Sequence, residues 1–540
     1  MEYSGNIVDI VKKRIFKGTV IIEDDLIIDI LEKDNNIDNF ILPGFIDSHV
    51  HIESSLLIPF EFARLAVRCG TVAVVADPHE IANVLGEKGV RFMFKNAEIS
   101  KIKFYFGVPS CVPATNLEMS GGVLKSETID KLLSEDKFYC LSEMMNIPGV
   151  VYSDADVLAK LKSAEKYSKP IDGHAPTLTG NILKKYVDAG ISTDHESSTY
   201  EEAKEKIDLG MNILIREGSA AKDFKALSKL INEFPDKIMF CTDDLHPDDL
   251  LKAHINKHVS TSISDGNELF NTLRAASYNP VIHYKLDVGL LQNGDKADFI
   301  VVDNLSDFNI LETIINGNVV YSSKKEDSIS HSFLLNDTFN CKEINILDLK
   351  VEAKSDLINV ISVTNGELYT KHEILKVDIS SGFIRSDVDN DILKLVLLNR
   401  YNLEAKPVVA FIKGFGMKCG CFAQSIAHDN HYIIAVGVND EDIVDSINKI
   451  FKKKGGISVK GRVGEGFLHL PIAGLMSDKM AEDVAFEYEN LNILAITTGS
   501  SLTSPLMTLS FMALIVIPDL KLGEHGLFSY KDFNFVSLFA

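Results

Sequence analysis

Short apolar strands alternate with amphipathic helices from about residue 45 to residue 284. Such βα alternation predicts a parallel sheet, because each helix returns the chain to the same end of the sheet. The number of consecutive units favours a closed barrel over an open sheet. After a first strand that ends near Asp47, the pattern predicts strands at 71–76, 103–108, 138–142, 171–173, 191–193 and 238–242. The helices between them include 154–167 and 200–209.

β-branched runs broken by turns flank this region on both sides. Their similar length and character predict one small β-sandwich, built jointly from residues 1–45 and 285–325. Residues 322–345 are polar and typical of a linker. The predicted fold class is therefore α/β: a TIM-like (β/α)8 barrel over residues 46–284, the β-sandwich from its flanks, and a C-terminal α+β domain over residues 346–540.

His49 and His51 stand at the end of the first barrel strand, in the run Asp47-Ser48-His49-Val50-His51. Side chains at i and i+2 of a strand point to the same face, so the two imidazoles aim at one point, as ligands of a divalent metal do. A single His-x-His pattern is weak evidence for a metal site, so the alternative is that the two histidines have no shared function. Four further candidate ligands argue against this alternative, since each lies at another predicted strand end, where barrel sites form. They are Glu143, His174, His195 and Asp243. Four histidines and two carboxylates suit two metal ions rather than one.

The order of these residues resembles that of the amidohydrolase superfamily. Many members with two metals use a carboxylated lysine as the bridge after strand four, but this chain has Glu143 there. A glutamate at that position resembles the adenine deaminase family, and several longer stretches also resemble its motifs. In the barrel region these are residues 43–55, 77–84, 142–145, 215–221 and 241–244, and beyond it residues 425–431 and 470–477.

The resemblance implies hydrolysis of adenine to hypoxanthine and ammonia, with a hydroxide that bridges two divalent ions attacking C6. It implies Mn²⁺ or Fe²⁺ as the ions, and histidine and carboxylate ligands are also compatible with Zn²⁺. The implied metal ligands are His49, His51, Glu143, His174, His195 and Asp243.

Asp243 is expected to accept the proton of the attacking water and to pass it to the departing amine. A second proton must reach N1 of the purine, and Asp77, His79 and Glu80 are the candidates; the sequence does not choose among them. For this stretch the alternative is a turn that starts a helix, since Asp-Pro favours both. Arg216 and Glu217 are candidate substrate-binding residues, with an ordinary ion pair as the alternative.

The stretch His428-Asp429-Asn430-His431 lies in the C-terminal region, within residues 425–431, which resemble a motif of the same family. Three interpretations stay open: a cap over the barrel mouth, an additional metal site, or an Asx-type turn between two strands.

Composition limits which binding partners and which cellular compartment we expect for this chain. The net charge of −22 at neutral pH and the lack of a basic cluster argue against nucleic acid and anionic membranes. Seven scattered cysteines predict a reducing compartment, the N-terminus shows no signal-peptide pattern, and the apolar run 506–517 is too short to span a membrane. We therefore expect a cytoplasmic protein that binds free adenine. The resemblance further implies a homo-oligomer, a dimer or larger.

Two other functions are compatible with the same residues. One is hydrolysis of a cyclic amide at the same metal site. The other is a catalytically inactive barrel that serves in assembly, although such descendants usually lose ligands and all six positions are filled here. The unrelated zinc-dependent deaminases are excluded, because the chain has no Cys-x-x-Cys.

Overall fold

The computed structural model describes residues 1–115, 117–324 and 338–540, which form two compact units. The first unit comprises Met1–His79, Val90–Cys111 and the chain from Leu124 to the undescribed segment. The second comprises Glu80–Gly89, Val112–Val123 and the chain after that segment to Ala540. Most of the predicted linker 322–345 lies outside the described residues.

Fifteen strands and fourteen α-helices precede the undescribed segment. The strands are β1 (Glu2–Asp9), β2 (Arg14–Glu23), β3 (Leu26–Glu32), β4 (Phe40–Pro43), β5 (Phe45–Val50), β6 (Thr71–Ala76), β7 (Lys103–Val108), β8 (Phe138–Met144), β9 (Ile171–Gly173), β10 (Thr193–Asp194), β11 (Asn212–Arg216), β12 (Ile238–Cys241), β13 (Phe299–Val302), β14 (Ile310–Ile315) and β15 (Asn318–Ser322). The helices are α1 (Pro59–Ala66), α2 (His79–Leu85), α3 (Glu87–Ala97), α4 (Ser126–Leu133), α5 (Ile147–Val151), α6 (Ala155–Lys166), α7 (Gly180–Asp188), α8 (Tyr200–Asp208), α9 (Phe224–Leu227), α10 (Leu230–Glu233), α11 (Pro247–Leu250), α12 (Ile255–Ser264), α13 (Leu269–Leu273) and α14 (Asn279–Tyr284).

The eight strands β5–β12 are parallel and adjacent in chain order. Two links join the sheet β5–β9 to the sheet β10–β12. Val50 pairs with Asp243 just after β12, and Ser192 N–H donates to the Ile171 carbonyl. The strands thus close into a barrel, which confirms the predicted TIM-like fold. Continuous β-branched runs such as β6 are buried along their whole length, as parallel strands covered on both faces require.

A seven-stranded sheet combines strands that come before and after the barrel, in the order β15-β14-β13-β4-β1-β2-β3. Strand β13, from the C-terminal flank, contributes side chains to two hydrophobic cores. Its Phe299 and Val301 face a core within this sheet, whereas Ile300 and Val302 belong to a core that contains barrel residues such as Phe240. The alternation of side chains along one strand therefore joins the sheet to the barrel.

The strands of the second unit are β16 (Val351–Glu352), β17 (Leu357–Val363), β18 (Thr370–Lys376), β19 (Phe383–Ile384), β20 (Leu393–Leu398), β21 (Val408–Lys413), β22 (Cys421–Gln424), β23 (Ile433–Gly437), β24 (Gly456–Gly461), β25 (Gly464–His469), β26 (Leu520–Gly523), β27 (Gly526–Ser529) and β28 (Asn534–Val536). Its helices are α15 (Asp440–Lys453), α16 (Ala481–Ile496) and α17 (Pro505–Ser510), and residues 80–89 of α2 and α3 also belong to it. The unit is built on an eight-stranded sheet in the order β18-β17-β21-β20-β23-β22-β24-β25. Helix α15 packs Ile443, Ile447 and Ile450 against the sheet residues Val396 and Ala435.

Across the described residues, no helix combines the length and the apolar character that crossing a membrane requires.

Candidate metal centre

The two histidines at the end of β5 converge as their spacing predicts. His49 and His51 are buried, and their Nε2 atoms lie 3.2 Å apart. The backbone holds the segment in register with the chain after β12, because His51 N–H donates to the Asp243 carbonyl and Asp243 N–H donates to the His49 carbonyl. Barrel closure therefore brings Asp243 beside the two imidazoles.

Glu143, at the end of β8, lies at the centre of the cluster. Its Oε1 is 3.3 Å from His51 Nε2, and its Oε2 is 2.9 Å from His174 Nδ1 and 3.3 Å from His195 Nε2. Burial raises the pKa of this carboxyl, but hydrogen bonds from the surrounding imidazoles outweigh it and hold the pKa well below its usual range. Glu143 is therefore an anion with histidines on both of its oxygens, as a bridging ligand would be.

Asp243 presents its two oxygens to different partners. Oδ1 lies 3.1 Å from His51 Nε2, and Oδ2 accepts a hydrogen bond of 2.8 Å from Arg216 Nη1. Burial raises the pKa of Asp243, whereas the His51 hydrogen bond and the Arg216 charge lower it more strongly. The carboxylate is thus held ionised, with one oxygen turned toward the histidines.

The donor set fits a divalent metal. Its nitrogen and oxygen atoms come within 4.8 Å of one another in three overlapping groups, and the side chains are buried apart from the partly exposed His174. Imidazole and carboxylate donors without thiolate suit the divalent first-row metals. The groups are His51, Asp77, His79 and Glu143; His49, His195 and Asp243; and Glu143, His174 and His195.

The residues Asp77, His79 and Glu80, which follow β6, contact two different groups of side chains. Helix α2 begins at His79, as the helix-start alternative expects, yet His79 Nδ1 lies 3.2 Å from Asp77 Oδ2 and 3.2 Å from Glu143 Oε1. Glu80 instead contacts His428 and His431 through its two carboxylate oxygens. The structure therefore brings Asp77 and His79 to the Glu143 cluster, and it places Glu80 in a separate cluster.

Arg216 ends β11 and donates to carboxylates on three sides. Besides Asp243, its guanidinium contacts Glu196, and its Nε lies 3.0 Å from Asp223 Oδ2. Glu217 is half-buried, and its carboxylate accepts a bond of 3.4 Å from the Phe224 N–H. No sequence pattern predicts Glu196 or Asp223 as partners of Arg216.

A buried lysine fixes the loops that carry two of the candidate ligands. Lys206 Nζ donates to the Ala175 carbonyl at 2.7 Å, to Asp194 Oδ2 at 2.9 Å and to Glu202 Oε1 at 2.7 Å. Asp194 also accepts from Ala175 N–H at 2.9 Å. Because Ala175 follows His174 and Asp194 precedes His195, this network positions both imidazoles. In the sequence, the i, i+4 spacing of Glu202 and Lys206 is typical of a helical ion pair, but it does not predict the contacts of Lys206 with Ala175 and Asp194.

We expect Lys206→Met to destabilise the protein by about 3–5 kcal/mol, because it leaves Asp194 and Glu202 buried without their cation. Lys204→Met is the matched control on the same helix, since Lys204 pairs with Asp208 and both side chains are about half exposed. Its expected cost is at most about 1 kcal/mol. Urea unfolding of the two variants measures the difference, and equal midpoints would contradict the role given to Lys206.

Comparisons with known proteins identify the family. The Amidohydrolase family model matches residues 40–320, and the Adenine deaminase C-terminal domain model matches residues 367–534. The chain is 51% identical to a Methanosarcina mazei protein named adenine deaminase, over 100% of this chain and 99% of that protein. The chain belongs to the adenine deaminase family of the amidohydrolases. Two further proteins of the same name also match. The one from Parabacteroides distasonis is 48% identical over 99% of this chain and 98% of that protein. The one from Borreliella afzelii is 44% identical over 98% of each.

Membership of the adenine deaminase family confirms the resemblance found in the motifs, and the matches cover both the barrel and the C-terminal region. The roles of the individual site residues stay predictions.

Proposed function

We propose that this chain hydrolyses adenine to hypoxanthine and ammonia. The observation that carries the proposal is Glu143, whose carboxylate lies between imidazoles on both oxygens in a chain that is related over its full length to adenine deaminases. The glutamate takes the place of the carboxylated lysine that many other amidohydrolases use.

The barrel site is proposed to hold two divalent ions, Mn²⁺ or Fe²⁺, with Zn²⁺ as a compatible substitute. The proposed ligands are His49, His51, Glu143, His174, His195 and Asp243. When bound, such ions supply the Lewis acidity that brings the pKa of a water molecule close to neutrality.

Asp243 is the proposed general base. It takes a proton from the water whose oxygen forms the new bond to C6, and it returns that proton to the amine as the C6–N bond breaks and ammonia leaves. Arg216 holds Asp243 Oδ2 at 2.8 Å, so Oδ1 remains the oxygen that faces the histidines. The carboxylate is therefore oriented for proton transfer before the substrate arrives.

Attack at C6 places electron density on N1, which needs a proton donor. Of the three candidates, Asp77 and His79 share a contact of 3.2 Å beside Glu143, whereas the Glu80 carboxylate contacts His428 and His431. Asp77 Oδ1 is buried and has no hydrogen-bond partner among the described residues. We therefore assign proton delivery to the Asp77–His79 pair, which regains a proton from the C6 hydroxyl as the C6 carbonyl of hypoxanthine forms.

Arg216 acts, in this proposal, as a positioning residue for Asp243, and Glu217 remains the candidate for a contact with the purine. We expect Arg216→Lys to lower kcat about 10–100-fold with a smaller change in KM, because lysine keeps the charge but cannot bridge three carboxylates. The matched control is Arg91→Lys, which alters a two-bond pair with the half-exposed Glu135. Steady-state kinetics of the Arg216→Lys and Arg91→Lys variants measure the difference. An unchanged kcat in Arg216→Lys would show that Arg216 does not position Asp243 for catalysis.

The proposal extends to a homo-oligomer, a dimer or larger, in the cytoplasm, as the family resemblance implies. Light scattering of the purified protein tests the oligomeric state, and a monomeric mass at micromolar concentration would contradict it.

The deciding experiment loads purified protein with Mn²⁺, Fe²⁺ or Zn²⁺ and follows adenine by chromatography with mass detection. The expected result is hypoxanthine and ammonia in equal amounts. If no metal loading gives turnover of adenine while a cyclic amide such as a hydantoin is opened, the site is that of a different amidohydrolase. If neither substrate reacts and the protein binds less than one ion per chain, the barrel is an inactive one.

A further inference from the structure

A second cluster of metal-ligand side chains lies in the second unit. Glu80 in α2 contacts His428 Nδ1 through Oε1 and His431 Nε2 through Oε2. The three side chains are buried, and their donor atoms lie within 4.8 Å of one another. None of the three is a proposed ligand of the barrel centre, and His428 and His431 belong to none of the three groups around Glu143.

The turn that carries the two histidines is held by its neighbours. The His428 ring stacks on Phe511 with the ring centres 4.5 Å apart, and His428 N–H donates to the Ser510 carbonyl. Tyr401 O–H donates to the Asn430 carbonyl at 2.8 Å, and Asn430 Nδ2 donates to Glu118 at 2.6 Å. The His428 ring and the backbone of the turn therefore do not depend on Glu80 alone for their placement, as preorganised ligands require.

The arrangement has the form of a three-ligand metal site. Each carboxylate oxygen faces a different imidazole nitrogen, and the ligands come from two segments separated by more than 300 residues. Two nitrogens and a carboxylate from one site suit the divalent first-row metals, whereas Ca²⁺ and Mg²⁺ prefer oxygen ligands alone. A pair of hydrogen bonds on Glu80, with no ion, is the competing interpretation.

We propose that Glu80, His428 and His431 bind one divalent transition-metal ion, separate from the barrel centre, which ties α2 to the 428–431 turn. This inference does not depend on adenine turnover. It adds one ion to the two proposed for the barrel, so each chain would bind about three. It also explains why a polar His-Asp-Asn-His stretch is buried within the C-terminal region.

Metal analysis of variants tests the site. Protein loaded with Mn²⁺ or Zn²⁺ and passed through a desalting column should hold about one ion more per chain than the variant His428→Gln/His431→Gln. The matched control His372→Gln/His469→Gln changes the exposed His372 and the partly exposed His469 of the same unit and should keep the wild-type metal content. The variant His49→Asn/His51→Asn removes barrel ligands and leaves the second unit intact. It should retain the ion at Glu80.

Crystallography of the wild-type protein provides a test that does not rely on any variant folding. Diffraction data at the absorption edge of Mn²⁺ or Zn²⁺ should give an anomalous peak between Glu80, His428 and His431. Full occupancy of the barrel peaks without a peak here would overturn the proposal. Equal metal content in the His428→Gln/His431→Gln variant and the wild type would overturn it as well. Either result leaves the proposed adenine hydrolysis untouched, because that is judged by hypoxanthine formation.

Discussion

Glu143→Gln is expected to lower kcat/KM for adenine by more than a hundredfold and to release metal from the barrel. Glutamine is nearly isosteric with glutamate, but it is neutral and offers one oxygen where two are used. In the structure both oxygens of Glu143 face imidazoles, at 2.9 Å for His174 and 3.3 Å for His51. Changing residues that merely support metal ligands costs about 10–100-fold, so the loss of a bridging anion should exceed that range.

Metal content and initial rates of the Glu143→Gln protein, measured after the same loading, provide the test. Glu135→Gln is the matched control, because Glu135 lies just before the same strand and pairs with Arg91 and Lys137 near the surface. It should keep wild-type metal content and rate. A Glu143→Gln protein that holds about two ions in the barrel and turns over adenine within tenfold of wild type would exclude a bridging role.

Asp243→Asn is expected to reduce kcat by about 10²–10⁴-fold with metal content close to that of the wild type. Asparagine can keep an oxygen near His51, where Asp243 Oδ1 now lies at 3.1 Å, but it cannot accept a proton from water. It also leaves Arg216 without one of its three carboxylate partners. The effect should therefore fall on the chemical step rather than on adenine binding.

Comparison of kcat, KM and metal content separates these effects for Asp243→Asn. Asp236→Asn serves as the control, since Asp236 is exposed and pairs with Arg274 at 2.6 Å. If Asp243→Asn lost its metal and recovered full kcat at high metal concentration, Asp243 would be a ligand without a proton-transfer role.

Much of the barrel follows from local sequence patterns. The predicted strands 71–76, 103–108 and 171–173 have the same bounds as β6, β7 and β9, because the next residues are Asp77, Pro109 and His174, which end the strand patterns. Strand β11 is missing from the predicted strands, although its Ile-Leu-Ile run is buried as fully as the others. The alternation of side chains along a strand also predicts that His49 and His51 lie together, whatever the rest of the fold.

The sequence does not predict which side chains distant along the chain contact each other. His79 and Glu80 are neighbours that the sequence treats alike, but successive residues of a helix point about 100° apart. At the start of α2 this difference sends His79 toward Glu143 and Glu80 toward His428. The partners of Arg216 and Lys206 likewise depend on which loops meet at the barrel end, and only the folded chain fixes that.

In the proposed mechanism, metal held around Glu143 makes this chain an adenine hydrolase. Its most direct test is to strip the protein of metal with a chelator, add back Mn²⁺ in steps, and measure hypoxanthine and ammonia at each step. We expect no turnover without metal and a rise to full activity as metal fills the barrel site, with both products formed in equal amounts. Turnover by the metal-free protein at the rate of the loaded one, or no hypoxanthine at any loading, would contradict it.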